Sequence, residues 1–473
     1  MEKIIFKTIV RLRRLAFFRV ADRTLMMLMP LAVVGSIFQF LWQSVFSPTS
    51  LISNIFYFDK WLPDHLFNAA WYSCQGITSV IFGTFGLFTA YFSAQYTARL
   101  YQKDAQMAGV SGMLALLLCA YRFRDTRDFQ LSFNWRFLNI NSFLFALLIG
   151  FGTGLIFRFL GVEYHHRHTE SAQQIKQRAF DSFRPMLATW VIGLIVGILT
   201  SLVHVRVVAT NFYQFFQNQG QNNLNLGVFI PLLLLALLLN WLGIGQPLAS
   251  LTAGSDSATN VANLNYALTH GSSWNVPNPY IGNSLYQSYG KFGGSGLTLV
   301  LLIGILIFIK KSSIVRVARW SFIPTLFGSN QGAFLGIPIM LNPLFLFPYV
   351  ILPVMNMLLA ASMIAVHLVP ASAYNVLSGT PGPLVAFIAT NGTWQALVFS
   401  MLLFALDILL YLPIIKMSKD VQDEIDLLND KEAGYKHVKS KKGVKKPPTF
   451  TRNIYFFNSF VHSYFFLDQK CQS

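Results

Sequence analysis

Apolar and polar positions along this chain fall into long blocks. The stretch TLMMLMPLAVVGSIFQFLWQSVF, Thr24 to Phe46, runs 23 residues without a charge. A helix crossing the hydrocarbon core of a bilayer needs about 20 predominantly apolar residues. Eight further blocks have the same texture: Ala70 to Ala98, Met107 to Ala120, Phe143 to Leu160, Met186 to Val205, Gly227 to Leu242, Gly296 to Ile309, Leu344 to Val369 and Trp394 to Ile415. The pattern predicts an all-α integral membrane protein with about ten transmembrane helices. The first block is too long for the apolar region of a cleaved signal, and no small-x-small site follows it, so it is expected to stay as a membrane helix.

Charge then sets the orientation. Lys3, Lys7, Arg11, Arg13, Arg14, Arg19 and Arg23 precede the first block against only Glu2 and Asp22, and KHVKSKKGVKKPP lies in the tail. Lys and Arg gather on the cytoplasmic side, so both termini are predicted cytoplasmic. Four arginines in the loop from Tyr121 to Phe137 sit against this rule. The segment HHRHTESAQQIKQRAFDSFRP is expected to be an amphipathic helix lying on the inner surface.

Alternation of sides leaves two gaps. Leu242 and Ile309 should both end inside, so the polar stretch from Gly243 to Ser295 has to cross back. Trp320 and Leu344 should both start inside, so LFGSNQGAFLGIPIMLNP enters and leaves on one side. That predicts a re-entrant hairpin with its turn at Gly328 to Gly332. Irregular backbone survives at membrane depth only where protein or a wet cavity covers it, and transporters aim such broken helix ends at their substrate. Ser329, Asn330 and Gln331 are therefore candidate ligand contacts. Gln331 also reads as the cap of a broken helix end, whose orphan amides need partners with or without a ligand.

Composition sharpens the class. The chain has 473 residues, 54% hydrophobic and 12% charged, with a formal net charge of +17. Soluble chains carry roughly 25% charged residues, so the basic excess reads as topology and contact with anionic lipid, not nucleic acid. Cys74 and Cys119 read as packing residues. The HHRH run at His165 to His168 lacks the downstream partners of a zinc site, and GKFGGSG lacks the lysine and strand of a phosphate loop; no metal or cofactor is expected. Asp256 is an acid near the polar gap that serves either the cavity or an aqueous loop. Asp407 lies inside the last block and either pairs with a helix or faces the cavity.

Three stretches carry a resemblance: NWLGIGQP from Asn240 to Pro247, FGGSG from Phe292 to Gly296, and SFIPTLFGSNQGAFLGIPIMLNPLFLFPYVILPVMN from Ser321 to Asn356. A weaker likeness continues through SGTPGPLVAFIATNGTW, which includes Thr380. The chain resembles enzyme IIC, the membrane component of the phosphoenolpyruvate-dependent sugar phosphotransferase system, in its lactose, cellobiose and diacetylchitobiose branch. The resemblance implies an elevator transporter with two re-entrant hairpins, assembled as a homodimer. Residues 1–205 would form the scaffold and dimer contact, 206–418 the substrate-binding part, and 419–473 a basic cytoplasmic tail. It implies a sugar held by Gln331, Asn330, Ser329, Gln246, Gly245, Asn342, Asp256 and Thr380, and phosphorylated by a separate cytosolic enzyme IIB charged by IIA. No catalytic residue is expected in the chain itself.

Two positions depart from the family pattern. Where the family has the His of Gly-Ile-His-Gly, this chain has Gly245 followed by Gln246; where it has the Glu of Asn-Glu-Pro, this chain has Gln331, then Gly332 in place of Pro. An amide keeps the hydrogen-bonding shape of a carboxyl group but is no base. The expected function is a permease for a β-linked disaccharide. The alternative is a relative that lost transport and serves as a glycan sensor or membrane scaffold.

Overall fold

The computed structural model describes residues 2–121, 133–164, 171–203, 226–245, 257–309 and 313–441. Most of the Tyr121 to Phe137 loop, the HHRH run, Gln246, Asp256 and the lysine-rich and aromatic tail lie outside these residues. Among the described residues the fold is all-α, with helices joined by short turns and no strand beyond isolated bridges.

The main helices are α1 (Glu2–Arg13), α2 (Ala16–Phe40), α3 (Asp64–Gly83), α4 (Phe85–Leu100), α5 (Ala105–Ala120), α6 (Phe143–Leu160), α7 (Ala172–Val203) and α8 (Leu226–Leu242). They are followed by α9 (Ala258–His270), α10 (Thr298–Phe308), α11 (Ser313–Leu326), α12 (Gln331–Gly336), α13 (Pro343–Ala365), α14 (Gly382–Ala389) and α15 (Trp394–Lys441). Six segments of the described chain are long and apolar enough to cross a membrane, and α5, α8 and α10 are shorter apolar helices. Each of the nine predicted blocks falls mainly on helix over its described residues.

Three expectations change in detail. The block from Ala70 to Ala98 is two helices with a break at Thr84, whose hydroxyl donates to the Val80 carbonyl at 2.7 Å. The expected surface helix is, from Ala172, the first half of the 32-residue helix α7, which runs through Pro185. Its Arg178 is fixed by the Asp104 carboxylate (2.8 Å from Nη2 to Oδ1), and Asp104 also caps α5 through the Gln106 and Met107 amides. Finally, the charged segment after Lys416 continues α15 as helix to Lys441.

The helices α4 to α7 pack through small residues. In lipid there is little hydrophobic gain in bringing two helices together, so close backbone approach and dispersion carry the contact. A methyl group added at Gly150 of α6 would stand 2.5 Å from the Ala90 carbonyl oxygen of α4. At Gly197 of α7 it would stand 2.7 Å from the Leu118 carbonyl oxygen of α5. Ser93 donates across to the Leu147 carbonyl at 2.9 Å, and Cys119 to that of Gly193 at 3.2 Å. Cys74 and Cys119 are buried with free thiols, as packing residues should be.

Residues 1–421 form one compact unit and 422–473 a second. Within the first, α2 packs on α3, α4, α11 and α12. The first long helix thus touches both the small-residue bundle and the broken helices of the C-terminal half.

Candidate functional site

Two helical hairpins build the site. The first rises through Gly282–Leu285 and a π-helical turn, Tyr286–Gly290, turns at residues 291–297 and returns as α10. The second rises as α11, turns at residues 327–330 and returns as α12. With about 1.5 Å of rise per residue, neither the 11-residue α10 nor the six-residue α12 reaches across a hydrocarbon core of about 30 Å. The opposing legs stop at the turns and leave backbone there.

The first turn is possible because of its glycines. Gly293, Gly294 and Gly296 have φ of +72°, +119° and +70°, a region that costs L side chains steric strain. Space excludes a side chain as well: a methyl group at Gly294 would collide with the Asn330 side chain, and one at Gly296 with the Tyr349 ring. The Thr298 hydroxyl donates to the Gly293 carbonyl (2.9 Å), and the Tyr411 hydroxyl to that of Gly296 (2.8 Å).

The tips of the two hairpins meet. Asn330 Nδ2 donates to Thr298 Oγ1 at 3.3 Å, so the second tip rests on the first. Ser44, at the end of the first span, donates to the Phe327 carbonyl at 3.3 Å, and the Gly332 amide donates to Ser36 Oγ of α2. A connecting loop joins from the C-terminal side. Ser378 donates to the Thr49 carbonyl (3.2 Å), and Ser288 to the Ser372 hydroxyl (2.8 Å).

Where these parts converge lies a cavity of about 680 Å³, within the range of about 300–1,000 Å³ usual for small-molecule sites. The end of the first span contributes Trp42, Gln43 and Ser44, and α3 contributes Trp71. The first hairpin adds Ser284, Gln287, Ser288 and Lys291, and the second adds Phe327 and Gly328. The loop over residues 372–380 closes the wall. The lining mixes hydroxyls, amides and two indoles with apolar side chains, among them Phe327, Val376, Leu377 and Val385. Lys291 is the one charged residue among the described residues of the wall, and no carboxylate joins it. Amides and hydroxyls both donate and accept, and an indole gives a flat apolar face. This surface can grip a ligand with many hydroxyls, but its described residues offer no carboxylate or imidazole for acid–base chemistry.

The residues singled out in the sequence divide around this cavity. Thr380 lines it, its hydroxyl donating to the Leu377 carbonyl at 2.8 Å. Asn330 is the clasp between the tips. Ser329 sits at the second tip with its hydroxyl buried and without a hydrogen-bond partner. Gln331 opens α12 beside the tip, half-buried. Asn342 caps α13: its Oδ1 accepts from the Leu344 amide at 3.3 Å and its Nδ2 donates to the Pro338 carbonyl at 2.9 Å. Gly245 packs against Asn141 at the end of α8, away from the wall. Asp407 is buried below the first hairpin, where Asn356 Nδ2 donates to it at 2.7 Å and to the Tyr289 carbonyl at 3.2 Å.

Sequence reasoning missed the larger part of the wall. Trp42, Gln43 and Ser44 form a polar end to an apolar block, and SAYNVLSGT, residues 372–380, is an uncharged polar run between two spans. Both carry the mark used to find the second hairpin: polar, uncharged residues where a membrane helix should be greasy.

Comparison with known proteins adds the family. Residues 22–353 match the family described as "Phosphotransferase system, EIIC". The "PTS system cellobiose-specific EIIC component" of Lactococcus lactis subsp. lactis (strain IL1403) is 30% identical over 142 residues, covering 30% of this chain and 29% of that protein. The "PTS system lactose-specific EIICB component" of Staphylococcus aureus (strain N315) is 33% identical over 135 residues, 28% of this chain and 24% of that protein. These matched stretches therefore span less than a third of the relatives' own length. Among solved structures, the transporter ChbC, the IIC component from the N,N'-diacetylchitobiose-specific phosphotransferase system, aligns over 89% of this chain and 98% of its own at 18% identity and a TM-score of 0.39.

Proposed function

The chain belongs to the phosphotransferase system EIIC family, and on that premise we propose that it is the sugar permease of such a system, taking a β-linked disaccharide of the cellobiose, lactose or diacetylchitobiose kind. The observation that supports this reading most is the cavity. It mixes hydroxyls and amides with indoles and other apolar faces, and it is built at the meeting of two broken-helix tips, which is where transporters place their substrate. Gln43, Gln287 and the serines of the wall would take the sugar hydroxyls, while Trp42 and Trp71 would cover its apolar ring faces.

A separate cytosolic enzyme IIB, recharged by IIA, would deliver the phosphoryl group. The bond from phosphorus to a sugar oxygen forms as the bond to the carrier breaks. The hydroxyl proton leaves with the carrier side chain, since no carboxylate among the described wall residues can take it. In the same reading the protein works as a homodimer with both termini in the cytoplasm. Its hairpin-bearing part, residues 206–418, moves past the scaffold of residues 1–205. Gln331 and Ser329 remain proposed sugar contacts in other states of that movement, and Gln246 and Asp256, outside the described residues, remain proposed sugar contacts as well.

The test is uptake. Inverted vesicles carrying the protein, supplied with phosphoenolpyruvate, the general phosphotransferase components and a matching IIA and IIB, should convert labelled cellobiose, lactose or diacetylchitobiose to its phosphate. Purified protein should bind the same sugar without those components. If no β-linked disaccharide binds or is converted, the permease reading fails.

A further inference from the structure

We infer that Lys291 makes this cavity selective for a glycoside carrying an anionic substituent, a carboxylate or a phosphate, over its neutral counterpart. The inference rests on the sugar-permease reading of the same site and goes on to name the class of sugar.

The first support is placement. Lys291 stands between the π-helical turn and the glycine turn of the first hairpin and is one of the residues that line the cavity. Its neighbours in sequence are committed elsewhere. Tyr289 and Phe292 are fully buried, packing on Phe399 at 5.4 Å and Phe404 at 5.5 Å between ring centroids. The positive φ at Gly293 and Gly294 then turns the chain away. Two large aromatic anchors on either side fix the backbone of position 291 at the wall.

The second support is charge. Every other described residue of the wall is neutral, and Lys291 has no ion-pair partner among the described residues. An ammonium group partly withdrawn from water, with no counter-charge among the described residues, loses hydration without recovering it. A sugar hydroxyl returns only a dipole. A carboxylate or phosphate returns a full charge, and charge-assisted hydrogen bonds are roughly twice as strong as neutral ones. A ligand that brings its own anion therefore gains from a feature that a neutral disaccharide would leave uncompensated. The same chemistry has two sources: an acidic sugar arriving as substrate, or the phosphate ester left by phosphotransfer.

The experiment is a calorimetric titration of the purified full-length protein in lipid nanodiscs. The ligands are cellobiose, cellobiouronic acid and cellobiose 6-phosphate, tested on the parent, Lys291→Met and Lys291→Arg. An anionic ligand is expected to bind the parent about ten- to a hundred-fold more tightly than cellobiose, the range of a hydrogen bond to a charged group. Lys291→Met should collapse that ratio toward one within the same preparation, and Lys291→Arg should keep most of it. A carboxylate preference marks an acidic substrate, and a phosphate-only preference marks retention of the product. Equal binding of neutral and anionic sugars by the parent overturns the inference while leaving the permease reading intact. So does an unchanged ratio in Lys291→Met. Failure of all three ligands, and of lactose and diacetylchitobiose beside them, to bind a parent that melts cooperatively overturns both.

Discussion

The small-residue bundle of α4 to α7 and the two hairpins are made of the same helices in the same solvent, yet they solve opposite problems. In the bundle the helices run on past their contacts, and contact comes from removing side chains, as at Gly150 against Ala90. In the hairpins the helices stop short, and contact comes from adding polar side chains that tie one turn to another, as Asn330 does to Thr298. Among its described residues the bundle holds a pocket of about 30 Å³ beside Asp104 and Arg178. The hairpins leave about 680 Å³. Rigidity and a binding site thus come from different choices about where the backbone hydrogen bonds end.

This contrast can be broken most severely in the bundle. Gly150→Val should prevent correct assembly, because overpacking a tight site costs about 1–3 kcal/mol or more and the obstacle here is backbone. The expected result is loss of a monodisperse peak in detergent gel filtration. A variant that elutes and melts like the parent would mean that α4 and α6 can part freely. The next effect belongs to the support beneath the first hairpin. Asn356→Leu leaves Asp407, whose other oxygen already lacks a partner, buried with no hydrogen bond. A loss of about 1–3 kcal/mol is expected, read as a lower melting temperature, with Asp407→Asn milder because an amide can still pair with Asn356.

The remaining two tests concern the cavity and should leave the melting temperature alone. Trp71→Ala removes one of the two indoles of the wall and should weaken disaccharide binding about tenfold, as loss of roughly 1.4 kcal/mol of contact does. Unchanged affinity would place the sugar on another face of the cavity. The smallest effect is expected at Gln331→Ala. From sequence this residue was the leading contact, and its loss should then cost about ten- to a hundred-fold in affinity. From its place beside the tip rather than on the wall, a change of about threefold or less is expected in the state described. A larger loss would show that the sugar reaches α12.

The fold was legible because membrane helices announce themselves through composition alone. Each of the nine apolar blocks needed only its own residues to be read, and the hairpin around Gly328 showed itself by a parity mismatch in the crossings. The site was legible only in part. Gln331 and Asn342 are polar residues in a broken apolar run, and sequence cannot say which of them caps a helix and which meets a ligand. Asn342 proves to hold the first turn of α13. Trp42, Trp71 and Lys291 come from segments far apart in the chain, and only the packing of α2 on α3 and on the second hairpin, whose tip meets the first, brings them to one wall. Long-range convergence of that kind leaves no periodic trace.

One contact near the second tip also bears on how the sequence can change. The Gly332 amide donates to Ser36 Oγ, and a methyl group at Gly332 would stand 2.9 Å from that oxygen. Proline, the residue of the resembled family at this place, has no amide hydrogen to give and would set its ring where the hydroxyl lies. Position 332 is therefore free to become proline only after position 36 has lost its serine and made room. The two sites, nearly three hundred residues apart, are locked into an order of mutation, and the single step from Gly332 back to proline is closed while Ser36 remains.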